Sequence, residues 1–132
     1  MREEIQLMID QSLETQQKIP LDLVQIACEK IIACYTNNKK LLICGNGGSA
    51  ADSQHMAGEF VNKFNLERNP WPALSLTVDT SILTAIGNDY SFEEVFSKQV
   101  QAYGVEGDIL FSMSTSGNSK NVIEAVKMAK QK

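Results

Sequence analysis

Two short loops rich in glycine and hydroxyl side chains are the strongest chemical signals in this sequence. The first, Gly45-Asn46-Gly47-Gly48-Ser49, follows an apolar run and precedes a helical pattern. Its glycines allow positive φ angles and a row of N–H groups that can face an anion, and a helix start behind it adds a favourable dipole. The alternative is a tight turn in which Ser49 caps the helix.

The second loop carries four hydroxyl side chains between a strand and a helix, at Ser114, Thr115, Ser116 and Ser119. Each hydroxyl can donate one hydrogen bond, and the helix start supplies free N–H groups. The alternative is that Ser119 or Asn118 only caps the helix. Both loops follow parallel strands, so both lie at the carboxyl edge of the sheet, where open α/β sheets bind ligands. Together they predict a small phosphorylated ligand.

A histidine and a glutamate lie four residues apart in the helix after the first loop, and therefore on one helix face. They are His55, which is the only histidine, and Glu59. The pair could be a solvent-facing helix contact, an acid/base site or part of a metal site. Two ligands do not complete a zinc site, which takes at least three from protein.

Two further signals are weaker. Asn88 and Asp89 follow Gly87, where they could hold sugar hydroxyls or only end a helix. The first loop also fits a loose dinucleotide-binding pattern, which expects an acid about 20 residues later. The acid that follows the second strand, Asp79, comes 34 residues after Gly45 (79 − 45), so we disfavour this interpretation.

Alternating strands and helices must position these loops. We predict a doubly wound parallel α/β sheet, because strands separated by helices form right-handed βαβ units. A capping-box pattern of Ser91 and Glu94 predicts a helix that stops before Gly104. Strands are predicted at 41–44, 73–78 and 109–113. Helices are predicted at 3–17, from Pro20 through Tyr35 and at 50–63. A short helical stretch is predicted to run through Ile86 and end at Gly87-Asn88-Asp89, another helix to open at Ser91, and a last one to follow Ser119.

Length and composition limit the possible functions. The 132 residues, with a mass of 14.6 kDa, predict a single domain, in which residues 1–38 form a helical hairpin for packing and 39–132 form the sheet. A net charge of −4 disfavours nucleic-acid binding, and no apolar run is long enough to span a membrane. The cysteines, at Cys28, Cys34 and Cys44, are odd in number and lack metal-type spacing, which predicts core positions in a reduced, cytoplasmic protein.

The two loops, the His55–Glu59 pair and Gly87-Asn88-Asp89 together resemble the bacterial phosphoheptose isomerases of the sugar isomerase (SIS) domain superfamily. The resemblance runs from the N-terminal helices to Lys132. It implies an SIS-type, flavodoxin-like three-layer fold that converts sedoheptulose 7-phosphate into D-glycero-D-manno-heptose 7-phosphate for cell-surface polysaccharide.

The resemblance also implies roles for individual residues. Glu59 is the catalytic acid/base, and His55 and Glu59 are ligands of one zinc ion per site. The implied substrate contacts are Asn46, Gly47, Gly48, Ser49, Glu59, Asn88, Asp89, Ser114, Thr115, Ser116 and Ser119.

The family continues beyond the position of Lys132, where it supplies more of the sheet and the remaining metal and acid/base residues. We therefore expect a chain cut short after its third strand–helix unit, with weak or no catalysis if these residues are the whole molecule. The resemblance implies a homotetramer. The alternative is a non-catalytic SIS protein that binds a sugar phosphate or a replication-initiator partner. A redox domain is a further alternative, which we disfavour.

Overall fold

The computed structural model describes residues 1–132, which form six α-helices, one 3-10 turn and a three-stranded parallel sheet. The predicted alternation of strands and helices is confirmed. The elements are α1 (Arg2–Gln17), α2 (Leu21–Thr36), β1 (Leu41–Gly45), α3 (Gly48–Val61), β2 (Ala73–Ser75), α4 (Thr80–Asp89), the 3-10 turn (Phe92–Glu94), α5 (Ser97–Tyr103), β3 (Ile109–Met113) and α6 (Lys120–Ala129).

The first strand is the centre of the sheet, whose order is β2-β1-β3. All five residues of β1 are buried, as expected for a continuous apolar run that is covered on both faces. The register pairs Gly45 at the end of β1 with Met113 at the end of β3. The glycine loop and the hydroxyl loop therefore leave the sheet from adjacent positions on the same edge.

Alternate residues of β1 contribute to two separate cores. Leu42 and Cys44 pack on one face against residues of the 3-10 turn region, α5 and α6, including Val95, Val100 and Val122. Leu41 and Ile43 pack on the other face against residues of α2 and α3, namely Cys34 and Ala57. Helices therefore cover both faces of the sheet, which confirms the predicted three-layer, doubly wound architecture.

The chain divides into two compact units, residues 1–30 and 31–132. The first unit consists of α1 and the beginning of α2, and α1 buries none of its residues. Its predicted apolar face is exposed along its length, at Ile5, Met8, Ile9 and Leu13. None of the helices combines the length and the apolar character that crossing a membrane would require.

Two predicted boundaries differ from the observed ones. The second strand ends at Ser75 instead of Val78, because β1 pairs with it only along Leu41–Ile43. Helix α4 includes the predicted terminal residues Gly87-Asn88-Asp89 and ends at Asp89, three residues beyond Ile86. A glycine inside a helix costs only about 1 kcal/mol, and the packing of Leu83 and Ile86 against the core holds this helix together.

Two local predictions also need correction. Ser91 precedes a 3-10 turn and makes no side-chain cap; the backbone N–H of Glu94 donates to the Ser91 carbonyl at 3.1 Å instead. The helix predicted to open at Ser91 begins only at Ser97, as α5, whereas its end before Gly104 is as predicted. Of the cysteines, Cys34 and Cys44 are in the core, as predicted, but Cys28 is exposed.

Candidate active site

The glycine loop needs glycine at two positions for different reasons. Gly47 has a φ of 56° and is the N-cap of α3. A Cβ atom at Gly45 would lie 2.7 Å from the Ser49 Cβ and 2.8 Å from the Ser49 carbonyl oxygen, so only glycine lets the helix start this close to the strand. Ser49 lies inside α3 and is not its cap, so its hydroxyl is left for another role.

The hydroxyl loop folds its serines into one cluster. The Ser114 Oγ lies 3.0 Å from the Ser119 Oγ and 3.5 Å from the Ser116 Oγ. Backbone amides join it, because the N–H of Gly117 donates to Ser114 Oγ and that of Asn118 to Ser116 Oγ. Ser119 is the N-cap residue of α6 but forms no side-chain cap. Thr115 is exposed beside the cluster.

The two loops are joined by a pair of asparagine side chains. The Asn46 Nδ2 donates to the Asn121 Oδ1 at 2.8 Å, and the Asn121 Nδ2 donates back to the Asn46 Oδ1 at 2.8 Å. The structure thus brings Asn46, in the first loop, to the start of α6, two residues after Ser119. Sequence reasoning missed Asn121, and no motif in the sequence distinguishes it from a solvent-facing helix residue.

The predicted pair on α3 is also formed. The His55 Nε2 lies 3.1 Å from the Glu59 Oε1, with side-chain exposures of 77% and 36%. Both residues line a groove of about 430 Å³ between α3 and β3. Its other lining residues are one acid, Asp52, and four apolar residues, Met56, Phe64, Phe111 and Met113.

Arg68 holds the end of the helix that carries this pair. Its guanidinium donates to the carbonyl oxygens of Glu59 at 2.7 Å and Phe60 at 2.8 Å, and it lies 4.2 Å from the centre of the Trp71 ring. A cation is favourable at the C-terminal end of a helix. The backbone position of Glu59 is therefore fixed, although its side chain is partly exposed.

The structure does not bring every predicted contact residue to the two loops. Asn88 and Asp89 are exposed in the last turn of α4. The Asn88 Nδ2 donates to the Asp89 Oδ1 at 2.8 Å, and neither side chain bonds to either loop. Asp79 caps α4 through the N–H of Ile82, which gives the disfavoured dinucleotide acid a structural role.

The cysteine next to the glycine loop is not a candidate nucleophile or ligand. Cys44 is completely buried, and this burial raises the pKa of its thiol to about 12. A thiol with such a pKa stays protonated at neutral pH, whereas nucleophilic attack and metal binding need the thiolate.

His55 and Glu59 fit a zinc site in residue type but do not complete one. An imidazole nitrogen and a carboxylate oxygen are both common zinc ligands. No group of three or more His, Cys, Asp or Glu residues that could hold a metal ion exists in the structure. The chain thus contributes two donor side chains, and at least one more protein ligand is needed.

This arrangement defines a class of protein: a parallel α/β domain in which a glycine loop and a hydroxyl loop are joined at the carboxyl edge of the sheet, the edge where open α/β sheets bind ligands. Comparison with known proteins narrows this class. The SIS domain family matches residues 3–132. A phosphoheptose isomerase from Clostridium acetobutylicum is 52% identical over an alignment 136 positions long, which covers 99% of this chain and 69% of that protein.

A second relative and a solved structure point to the same family. A phosphoheptose isomerase from Aneurinibacillus thermoaerophilus is 50% identical and is matched over 69% of its length. The structure of phosphoheptose isomerase from Neisseria gonorrhoeae superposes with a TM-score of 0.90 at 48% identity, covering 98% of this chain and 69% of that one. The chain therefore belongs to the SIS domain family and, within it, to the phosphoheptose isomerases.

Proposed function

We propose that this chain catalyses the isomerisation of sedoheptulose 7-phosphate to D-glycero-D-manno-heptose 7-phosphate. The observation that carries the proposal is the junction of the glycine and hydroxyl loops at one sheet edge, with the helix of Glu59 starting from the first of these loops. The loops form one region rich in hydroxyl and N–H groups, and Glu59 lies about three turns along α3 from the first loop, in the groove between α3 and β3.

The hydroxyl loop is proposed to bind the phosphate group. Hydroxyls within 3.0–3.5 Å of one another can donate jointly to phosphate oxygens, and the first turn of α6 adds N–H groups that lack intrahelical partners. The proposed phosphate ligands are the side chains of Ser114, Thr115, Ser116 and Ser119, with Ser49 as an addition. Asn46, Gly47 and Gly48 are proposed to contact the sugar. Asn88 and Asp89, which bond to neither loop of their own chain, are proposed to contact the sugar at a junction between subunits of the homotetramer.

Glu59 is proposed to transfer the proton. Converting a ketose into an aldose moves a proton between C1 and C2 through an enediol, which needs a base beside the carbonyl group. Glu59 lines the groove between α3 and β3, and Arg68 fixes its backbone.

One zinc ion per site is a further part of the proposal. His55 and Glu59 would hold it, with the other ligands supplied from outside these 132 residues. When bound, such an ion would polarise the substrate carbonyl and stabilise the developing oxyanion. The residues present contribute only two donors. The roles given above to Glu59 and the loops are argued from their own positions and chemistry, without this ion.

The setting of the enzyme is proposed from the resemblance and from the surface of α1. We propose a cytoplasmic homotetramer that supplies heptose precursors for lipopolysaccharide or capsule. The exposed apolar residues of α1 are suited to contact with another subunit, and three free thiols suit a reducing compartment. Sedimentation analysis of the purified chain tests the tetramer directly.

The experiment that tests the proposed reaction is aldose formation from sedoheptulose 7-phosphate, with added zinc, by the wild-type chain and by Glu59→Gln. Loss of general acid–base catalysis should lower kcat by roughly 10²- to 10⁴-fold. Glu106→Gln is the matched control, because Glu106 is exposed in the turn before β3, at the opposite edge of the sheet. It should keep wild-type turnover.

Three results would contradict parts of the proposal. Equal turnover by Glu59→Gln and wild type would remove Glu59 from the chemistry. Binding of the sugar phosphate without turnover, even by wild type, would contradict catalysis by these 132 residues alone and indicate an isomerase that lacks groups the reaction requires. The absence of both binding and turnover would contradict the phosphate-binding role of the two loops.

A further inference from the structure

We propose that Asn121 is a positioning residue that orients the Asn46 carboxamide for the substrate and locks the glycine loop to the hydroxyl loop. The inference rests on the proposed function, because it takes Asn46 to be a substrate contact. Asn121 would not touch the substrate itself and would act through Asn46.

The pair is reciprocal, and one member is almost completely buried. Both amide–amide hydrogen bonds are 2.8 Å long, and Asn121 is only 4% exposed, whereas Asn46 is half-buried. The two residues are 75 positions apart in the chain. They meet because β1 and β3 are neighbours and their loops leave the same edge of the sheet.

The orientation of the Asn121 side-chain amide is set by the backbone N–H of the next residue, Val122. The Asn121 Oδ1 also accepts a hydrogen bond from the N–H of Val122 at 3.0 Å, in the first turn of α6. Since an N–H can only donate, the oxygen of Asn121 must face it, and its Nδ2 is left to donate to Asn46. The helix start thereby determines which way the Asn46 amide points.

This fixed orientation leaves Asn46 with a defined remaining capacity. A carboxamide has two N–H donors and an oxygen with two acceptor positions, and the pair uses one of each. Asn46 makes no other side-chain hydrogen bond, so one donor and one acceptor remain for a ligand. A sugar hydroxyl, which both donates and accepts, matches that remaining pair of groups.

Truncating Asn121 would release this arrangement. In Asn121→Ala the Asn46 side chain loses both hydrogen bonds to its one partner and can rotate or bond to water. Part of the binding free energy must then order this side chain again when substrate binds, because preorganisation lowers the cost of binding. The affinity for substrate should fall even though no substrate contact has been removed.

The first test uses the free protein and needs no ligand. In wild type, we expect the side-chain amide proton that Asn46 donates to Asn121 to exchange with solvent at least about tenfold more slowly than the amide protons of exposed Asn65, by nuclear magnetic resonance. Asn121→Asp keeps both accepted hydrogen bonds and places a negative charge at a helix N-terminus, where it is tolerated, but it no longer donates to Asn46. It should shift the Asn46 amide resonances, whereas Asn121→Ala should abolish the slow exchange.

The second test is a double-mutant cycle of sedoheptulose 7-phosphate affinity, measured by calorimetry on the full chain. Asn121→Ala alone should weaken binding about tenfold, which is the net effect of about one lost hydrogen bond. In the Asn46→Ala background, the same substitution should weaken binding less than about twofold, because its only route to the substrate is gone. Asn37→Ala, in the turn after α2, is the control and should leave affinity unchanged.

The outcomes separate this inference from the proposed function. An Asn46 amide that exchanges as fast as Asn65, or that ignores Asn121→Ala, would overturn the inference whatever binds. Equal losses from Asn121→Ala in both backgrounds would also overturn it, since a general structural effect is additive. Absence of sugar-phosphate binding by wild type would instead contradict the proposed function, and the exchange measurement would still show whether Asn121 orients Asn46.

Discussion

The two parts of the candidate site differ in how completely this chain builds them. The loops after β1 and β3 are tied to each other by buried hydrogen bonds, and their hydroxyls already form one cluster. The His55–Glu59 pair, by contrast, is largely exposed on one helix face and has no third metal-type partner. The difference indicates that this chain preorganises ligand binding more fully than it preorganises the chemistry.

The largest effect is expected where the glycine loop meets its helix. Gly45→Ala would place a Cβ within 3 Å of Ser49 backbone atoms, so strand and helix must move apart. We expect a loss of about 3 kcal/mol in the free energy of unfolding, typical of overpacking in a rigid region. Urea denaturation measures this loss, and an unchanged midpoint would show that the loop is less rigid than the comparison requires.

A substitution at the opposite edge of the sheet should affect stability without affecting the site. The Asp108 carboxylate is 6% exposed and accepts hydrogen bonds from the Lys40 side chain and from the backbone N–H groups of Val105 and Lys40. Burial alone would raise the pKa of Asp108, but these hydrogen bonds and the Lys40 charge outweigh it, and the pKa is lowered from 3.8. Asp108→Asn should cost about 2 kcal/mol of unfolding free energy at pH 7.

The pH dependence of this stabilisation follows from its sign. Because the pKa of Asp108 is lower in the folded chain than in the unfolded chain, its contribution is complete above about pH 4 and is lost as pH falls through the folded value. The stability difference between wild type and Asp108→Asn should therefore shrink below about pH 4. A difference that stays constant down to pH 2 would show that the charge of Asp108 is irrelevant. Affinity for the sugar phosphate should be the same in both proteins.

A smaller effect separates the glycines that follow Gly45. Gly47→Ala adds a side chain at a φ of 56°, where nothing crowds it but an L-residue is strained, so we expect a loss of about 1 kcal/mol. Gly48→Ala is the matched control, since Gly48 starts α3 with open space around it and without a positive φ. Chemical denaturation of the two variants compares them, and equal stabilities would argue against conformational strain at Gly47.

The smallest effect is expected at the exposed pair. His55→Gln removes a contact between two partly solvated side chains, and such surface pairs contribute little. The free energy of unfolding should change by less than about 0.5 kcal/mol. A loss above about 1.5 kcal/mol would mean that the pair stabilises the helix and would weaken its assignment to function.

The sequence was sufficient to predict the architecture and the position of both loops. The apolar runs of β1 and β3 are flanked by clear turn residues, and the predicted third strand, 109–113, has the observed bounds. The predicted ends of β2 and α4 differ from the observed ends, because tertiary contacts decide where these two elements stop. The pairing with β1 limits β2, and the packing of Leu83 and Ile86 carries α4 past a glycine.

The contact between Asn46 and Asn121 could not be predicted in the same way. It depends on β1 and β3 being adjacent, which the order of elements along the chain does not specify. An asparagine in the first turn of a helix is common at exposed positions, so its type alone does not indicate burial. The positions of Asn88 and Asp89 relative to the loops likewise depended on how far α4 extends.

The most direct test of the division between binding and chemistry is calorimetric titration of sedoheptulose 7-phosphate into wild type, Ser119→Ala and Glu59→Gln. We expect Ser119→Ala to bind at least about tenfold more weakly, because a hydroxyl of the phosphate cluster is lost. Glu59→Gln should bind within about twofold of wild type. Binding that survives Ser119→Ala but is lost in Glu59→Gln would contradict the account.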